Sequence, residues 1–451
     1  MDKKRILHIT PHLGGGVGRV LLNYLVKVQN DSSFEHKVIC LDYANDNAVS
    51  TAGRLDLVLS DNMHLRPGNI LEEIASADIV LIHWWNHPLL YDFFVRQTLP
   101  PSRIILWSHN SGFHPPGVFT EKVLAYPNLF VFTTPISYKT KEIQNLTDEQ
   151  KKSLRVVWST GGVDHVKSVK PKTHTGFNVG YIGTVDYCKM HPDFLNICNQ
   201  VDIPNVNFIV CGGPKEKELK QEAEHLGIGK KFNFTGCVPD IKEYLSLFDI
   251  FGYPLAPYHY GTCDQTLQES MAAGVVPVVL ANQMESYMVK DGVTGIVAKD
   301  KEEYIKVLQD LYHNRELRNK LSQNAKEYAI HTFSLEKIAN EWNKLFNEVL
   351  DFPKTVRKWK NSKKGEDISP KDVFLESLVH HGEDFVSYCN AESDEEKKSA
   401  IEKIKKLAES ANWQAETRGT VHHYNFFFPN DPYLSVWSQL TKRKEVSIKG
   451  L

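Results

Sequence analysis

The sequence predicts an α/β protein with two successive doubly wound parallel sheets and a mainly helical C-terminal extension. Three observations predict it. Short runs rich in Ile, Val and Leu alternate with amphipathic segments from residue 5 to about 350, a polar stretch at 161–177 interrupts them once, and the alternation stops after Pro353. Runs apolar on both faces are the mark of parallel strands covered by helices. At roughly 150 residues per domain, 451 residues suit about three domains.

Taken in order, the first strands are "RILHIT" (5–10), "HKVICLD" (36–42), "DIVLIHWW" (78–85), "RIILWSH" (103–109) and "LFVFTT" (129–134). The segment 161–177 carries Gly, Pro and Lys but no periodic apolar face, so 160–177 reads as a hinge. The same grammar then restarts with "NVGYIGT" (178–184) and a helix near 191–201. After these come "NFIVCGG" (207–213), a helix over 214–226, "KFNFTG" (231–236), a helix over 240–248 and "IFGYPL" (250–255). A helix from about Gln265, the strands "VPVVLA" (276–281) and "GIVA" (295–298), and three helical segments complete it. The expected domains are 1–165, 166–352 and 353–451, with the last helix of the second, about 334–350, a candidate to pack back on the first. Two such domains facing each other leave a cleft at the carboxyl ends of their strands, where open parallel sheets bind ligands. The tail holds a basic stretch (354–367), helical patterns at 370–388 and 394–411, and the aromatic run "TVHHYNFFFPNDPYLSVW" (420–437).

Hydrophobic residues at 41% and charged residues at 24% exclude general disorder. A net charge of −2, from 53 basic and 55 acidic residues, argues against a broad nucleic-acid binder. The seven cysteines form no Cys-x-x-Cys pair and read as reduced core thiols. The opening apolar run is too short for a signal peptide, and the longest one, 271–281, is too short to span a membrane, so a cytoplasmic enzyme is expected.

Several positions carry candidate chemistry. The first strand runs into "PHLGGGVGRVLLNYL", where backbone N–H groups around Gly15 and Gly16 can meet a phosphate or polar acceptor at a helix start, as well as forming a tight turn. The residue three after Gly16 is Arg19, so the dinucleotide fingerprint fails, although Asp42 stands where a ribose-binding acid would. Gly183 ends a strand and Lys189 follows in its loop, where an ammonium can offset a diphosphate leaving group. A lone lysine is more often solvated surface. In "HYGTCDQTLQESMAAG" a turn leads to Asp264 and a helix bearing Glu269. Its start suits a phosphate, although an N-cap and a surface charge are the commoner fates of such carboxylates.

The arrangement carboxylate, helix, "ESMAAGVVPVV" (269–279) and "ESYMVKDGVTG" (285–295) resembles the donor-binding region of glycosyltransferase family four, retaining enzymes of GT-B fold. The likeness extends to "GYIGTVDYCK" (180–189), "FTGCV" (234–238) and "ITPHLGGGVGRVLLNYL" (9–25), so it covers about residues 5–350. It implies that Glu269 holds the ribose hydroxyls, that Lys189 holds the diphosphate, and that His109 lies near the donor sugar. The other candidate donor-binding positions are Gly15, Gly16, Arg19, Gly183, Thr184, Val238, Gly261, Thr262, Cys263, Gln265 and Thr266. Two positions depart from the pattern: the family's first glutamate falls on Gly261 and its diphosphate arginine on Thr184. Asp264 and Arg19 are the candidate replacements.

The activity implied is retaining transfer from a nucleotide diphosphate-sugar, UDP-sugar before GDP-sugar, to a hydroxyl of a glycan, lipid-linked or protein acceptor. No cofactor or metal is expected, since the sequence has no Asp-x-Asp strand end and no metal-spaced His pair. The rivals are a GT-B nucleotide-sugar epimerase, a non-catalytic nucleotide-sugar-binding scaffold and, third, a dehydrogenase. The tail reads first as a core packing on the first domain and second as a partner or peripheral membrane surface, with "KWKNSKK" (358–364) the segment for anionic lipid.

Overall fold

The computed structural model describes residues 3–31, 33–361 and 367–442. Its contacts divide the chain into two units, Met1–Val157 with Glu341–Leu451, and Trp158–Asn340.

In the first unit the strands are β1 (Lys4–Thr10), β2 (Phe34–Cys40), β3 (Val58–Ser60), β4 (Ile79–Trp84), β5 (Thr98–Ser102), β6 (Ile104–Ser108), β7 (Leu129–Phe132) and β8 (Leu154–Val156). All but β5 form one parallel sheet in the order β3-β2-β1-β4-β6-β7-β8. The central strands are those expected from the sequence, because β4, β6 and β7 are buried along their whole length and their residues are apolar on both faces. The sequence did not announce β3, β5 and β8. Two are three residues long, and β5 carries Pro100 and Pro101, which only an edge tolerates.

The second unit holds β9 (Phe177–Ile182), β10 (Val206–Cys211), β11 (Phe232–Gly236), β12 (Ile250–Tyr253), β13 (Val276–Leu280) and β14 (Ile296–Ala298). They form a parallel sheet in the order β11-β10-β9-β12-β13-β14. The order reverses between β9 and β12, so the loops leaving these two strands flank the switch point where such sheets take ligands. The helix Gln265–Ala272 follows, and "AAG" ends it: Gly274, at φ +81, donates to the Met271 carbonyl while Val275 donates to that of Ser270.

The tail is not purely helical. A further strand, β15 (Thr355–Lys358), lies inside its basic stretch and pairs antiparallel with β5. Lys354 Nζ donates to the Ala77 carbonyl and Arg103 Nε to that of Phe352. Beyond residue 367, Phe374, Phe385, Tyr424 and Trp437 are buried in one cluster with Trp84, Tyr91 and Phe94 of the sheet domain. The aromatic run therefore completes the core of the first unit. Trp359 of "KWKNSKK" belongs to that core, while residues 362–364 of the run lie outside the described residues. Among the described residues no helix is long and apolar enough to cross a membrane. The cysteines are unpaired, but only Cys40, Cys198, Cys211 and Cys263 are the buried core thiols expected: Cys188 and Cys389 are half-buried, and Cys237, in the loop after β11, is exposed.

Candidate functional site

In the second unit, the loop after β9 brings Lys189 to the N-terminus of the helix Gln265–Ala272. Lys189 Nζ lies 2.6 Å from Asp264 Oδ1, and both side chains are about nine-tenths buried. Burial works against the Lys189 ammonium, yet the neighbouring carboxylate outweighs it and holds the pKa above the ordinary lysine value. Burial likewise pushes Asp264 up, and Lys189, with His259 and the Tyr253 hydroxyl, more than reverses it, so Asp264 stays ionised below the usual carboxylate range. Asp264 occupies the N-cap position, but its side chain makes no cap bond; it also accepts from the Tyr253 hydroxyl at 3.3 Å. The capping fate weighed for it is thus not what the structure shows. Without a cap, the first N–H groups of that helix keep their polarity directed outward.

Glu269 is not the surface charge that isolated chemistry suggested. It is 2% exposed, and its Oε1 lies 3.0 Å from His165 Nε2. Beside Asp264 stands a dyad that sequence reasoning missed. His259 Nδ1 accepts from the Gly261 N–H at 2.9 Å, which leaves its Nε2 to donate to the fully buried Glu285 at 3.0 Å. Glu285 Oε1 and Gln265 Nε2 are buried polar atoms with no hydrogen-bond partner among the described residues, and such atoms mark places where an added polar group is favourable.

The departures from the family pattern acquire a physical reason. A Cβ on residue 261 would stand 2.8 Å from the His259 ring and 3.0 Å from Asp264 Oδ1, so only glycine fits. Asp264 Oδ1 thus lies beside the space that a side chain at 261 would enter. Thr184, at the arginine position, accepts from the Tyr260 hydroxyl at 3.2 Å, while its carbonyl accepts from Tyr181. Gly183 closes the end of β9 by donating to the Cys211 carbonyl. Gln268 donates to Cys263, Thr262 lies in the same turn and Thr266 in the first turn of the helix. Val238 is half-buried in the loop after β11, where no bond links it to this group among the described residues.

The first unit carries Gly15, Gly16, Arg19 and His109. Gly15 has φ +61 and starts the helix Gly15–Val28, which has no acidic residue in its first turn and no side-chain cap. Gly16 and the half-buried Arg19 lie in its first two turns. His109 follows β6 directly and ends a row of four imidazoles across adjacent strands. His36 of β2 bonds His8 of β1 (2.9 Å), His8 bonds His83 of β4 (3.1 Å), and His83 bonds His109 (3.3 Å). Burial lowers His83 to about 3 and His36 to about 4, the latter against the pull of Asp31. Burial, then neighbouring imidazoles, also keep His8 and His109 well below the ordinary range. All four rings are therefore neutral at neutral pH, and each has one donor and one acceptor. The bonds must consequently run in one direction. If His36 donates to His8, His109 receives at Nε2 and carries its proton on Nδ1; in the reverse order His109 donates from Nε2 and presents a bare Nδ1. A signal existed in the sequence, since four consecutive sheet neighbours carry one histidine each. His165, by contrast, sits in a linker-like segment with no periodicity to reveal it.

Residues 164–328 match the family Glycosyl transferases group 1. The chain is similar to EpsD of Bacillus subtilis (strain 168), assigned as a glycosyltransferase, at 26% identity over 152 residues, 33% of this chain. It is similar to the lipopolysaccharide core biosynthesis glycosyltransferase LpsE of Rhizobium meliloti (strain 1021) at 22% over 200 residues, 43% of this chain. The matches span 39% of EpsD and 58% of LpsE. Among solved structures it resembles HepE of Anabaena in complex with UDP-glucose, with TM-score 0.61 and 16% identity over 76% of this chain and 99% of HepE. The family match lies within the second unit, and the likeness to solved structures gives the chain the GT-B fold.

Proposed function

We propose that this protein is a retaining, metal-independent glycosyltransferase that moves a sugar from a nucleotide diphosphate-sugar to a hydroxyl of a glycan, lipid-linked or protein acceptor. UDP-sugars are the first donors to test, because HepE was solved with UDP-glucose. The observation that carries the reading is the buried Lys189–Asp264 pair at an uncapped helix start on the switch point of the second sheet.

In sugar transfer the protein must stabilise a departing diphosphate and hold an acceptor hydroxyl close. On this reading Asp264 keeps Lys189 charged and oriented until the donor arrives. The diphosphate then takes over as counter-ion, assisted by the N–H groups of Gln265 and Thr266. Glu269, fixed by His165, accepts from the ribose hydroxyls. His109 is assigned to the donor sugar by resemblance, and the order of the imidazole row decides which of its nitrogens carries the proton. Arg19 supplies the second cation in place of the family arginine. The acceptor attacks on the leaving group's own face, and its proton goes to the diphosphate.

A second reading, donor binding without transfer, is favoured by one observation: the charge of Lys189 is already satisfied internally. UDP release from UDP-glucose and a glycan acceptor separates the two. Turnover by the wild type that is lost in Glu269→Gln and Asp264→Asn supports the enzyme, with the product's anomeric configuration read by NMR to settle retention. Donor binding with no turnover on any acceptor supports the scaffold. Unchanged donor affinity in Arg19→Ala removes that residue's role.

A further inference from the structure

In the first unit, the helix Pro370–Leu378 ends in one 3-10 turn, Val379–Gly382, which carries two consecutive histidines. Val379 enters it at φ 50 and ψ −126, a backbone region that a β-branched residue rarely occupies and that persists only where the surroundings impose it. The His380 and His381 rings lie 3.9 Å apart. Facing them from a segment more than 200 residues earlier in the chain is Glu142, in the helix Lys141–Gln144 of the sheet domain. One ligand-type atom from each of the three lies within 4.8 Å of the others. None of the three side chains forms a hydrogen bond or ion pair among the described residues. They converge without bonding one another, at the rim of a cavity of about 370 Å³ that also presents Asn145, Gln150 and Glu121.

We propose that Glu142, His380 and His381 bind one borderline transition-metal ion of the Zn²⁺ class, which staples the C-terminal extension to the first sheet domain. Two imidazoles and a carboxylate suit zinc, whereas calcium and magnesium require oxygen ligands throughout. Around a tetrahedral ion with bonds of about 2.0–2.2 Å, ligand atoms stand about 3.4 Å apart. Rotation of the exposed His380 and of the half-buried Glu142 and His381 closes the present spacing, and water from the cavity supplies the fourth position. Joining distant segments is also where a metal clip stabilises most. A second convergent group, His259, Asp264 and Glu285, does not compete: both nitrogens of His259 are already bonded and Asp264 is paired with Lys189. The staple is independent of the glycosyltransferase reading.

The test uses the full chain, stripped with chelator and titrated with zinc chloride by calorimetry and thermal melting. One ion per chain is expected, with Tm raised by about 5 °C at a hundredfold excess over Kd. In His380→Asn/His381→Asn, which leaves a single carboxylate ligand, affinity falls by more than about 100-fold and the zinc-dependent shift disappears, while the metal-free Tm stays at the wild-type value. Glu142→Gln weakens binding by about tenfold and serves if the double variant misfolds. Cobalt in place of zinc gives the intense visible bands of four- or five-coordination. Substoichiometric binding by the wild type, equal binding by the double variant, or the weak spectrum of six-coordinate cobalt overturns the proposal.

Discussion

The two units solve the same problem, keeping polar groups inside a parallel α/β core, by opposite means. The second unit buries charge: Lys189 and Asp264 are both ionised, and each is tolerable only because of the other. The first unit buries polarity without charge, in four neutral imidazoles that satisfy one another along β2, β1, β4 and the end of β6. An ion pair is costly to break and indifferent to modest acid. A neutral histidine row is cheaper to break and acid-sensitive. The contrast teaches that each half of the molecule is tuned to a different perturbation, and the perturbations can be applied separately.

The largest effect is expected from Lys189→Ala, which strands the Asp264 carboxylate in the interior and should cost about 3–5 kcal/mol in chemical denaturation. Lys189→Met with Asp264→Asn should recover most of that stability and none of the turnover, because two neutral groups do not leave a charge behind. If the single variant unfolds like wild type, the pair is not buried as described and the comparison collapses.

Acid should act on the other unit. His8, His36, His83 and His423 are all pressed below the ordinary histidine pKa of about 6.5 by burial. Below that pH the unfolded chain binds protons that the folded unit refuses, so stability is lost as pH falls from about 6.5 towards 4. Asp264 is depressed instead, and its contribution is lost only as pH falls below about 4. Tryptophan fluorescence during acid titration should therefore report the first unit opening before the second. A single transition below pH 4 would contradict this.

Gly261→Ala should be intermediate. Its methyl would collide with the His259 ring and Asp264, costing about 1–3 kcal/mol and lowering donor affinity in the second unit alone. Smallest in stability but most specific is His83→Asn, which interrupts the imidazole row. Nitrogen-15 NMR should show one His109 tautomer in the wild type and a mixture in the variant. An unchanged His109 spectrum would mean that the row does not set its protonation.

The central strands were legible in the sequence because burial on both faces forces continuous apolar runs. The edges were not: Val58–Ser60 is too short and too exposed to need such a run, and Thr355–Lys358 hides in a basic stretch because β5 is all it covers. In the site, Lys189, Asp264 and Glu269 stood out only through resemblance, since a lone charge has no periodicity. The partners that give them meaning were invisible for a related reason. His165 meets Glu269, and His259 meets Glu285, across sequence distances that no local pattern encodes. Gly261 looked like a lost residue until the space around it was known.

The first unit is assembled from both ends of the chain, with Trp84, Tyr91 and Phe94 awaiting Phe374, Tyr424 and Trp437. During vectorial synthesis the sheet segment of this unit leaves the ribosome before the helices that complete its core, while the second unit, emerging whole between them, can fold in the interval. At translation rates of roughly 5–20 residues per second, the half-built aromatic face stays open for about 15–60 s. That interval is a window for chaperone capture and for self-association of nascent chains, and it closes only when the final helices arrive.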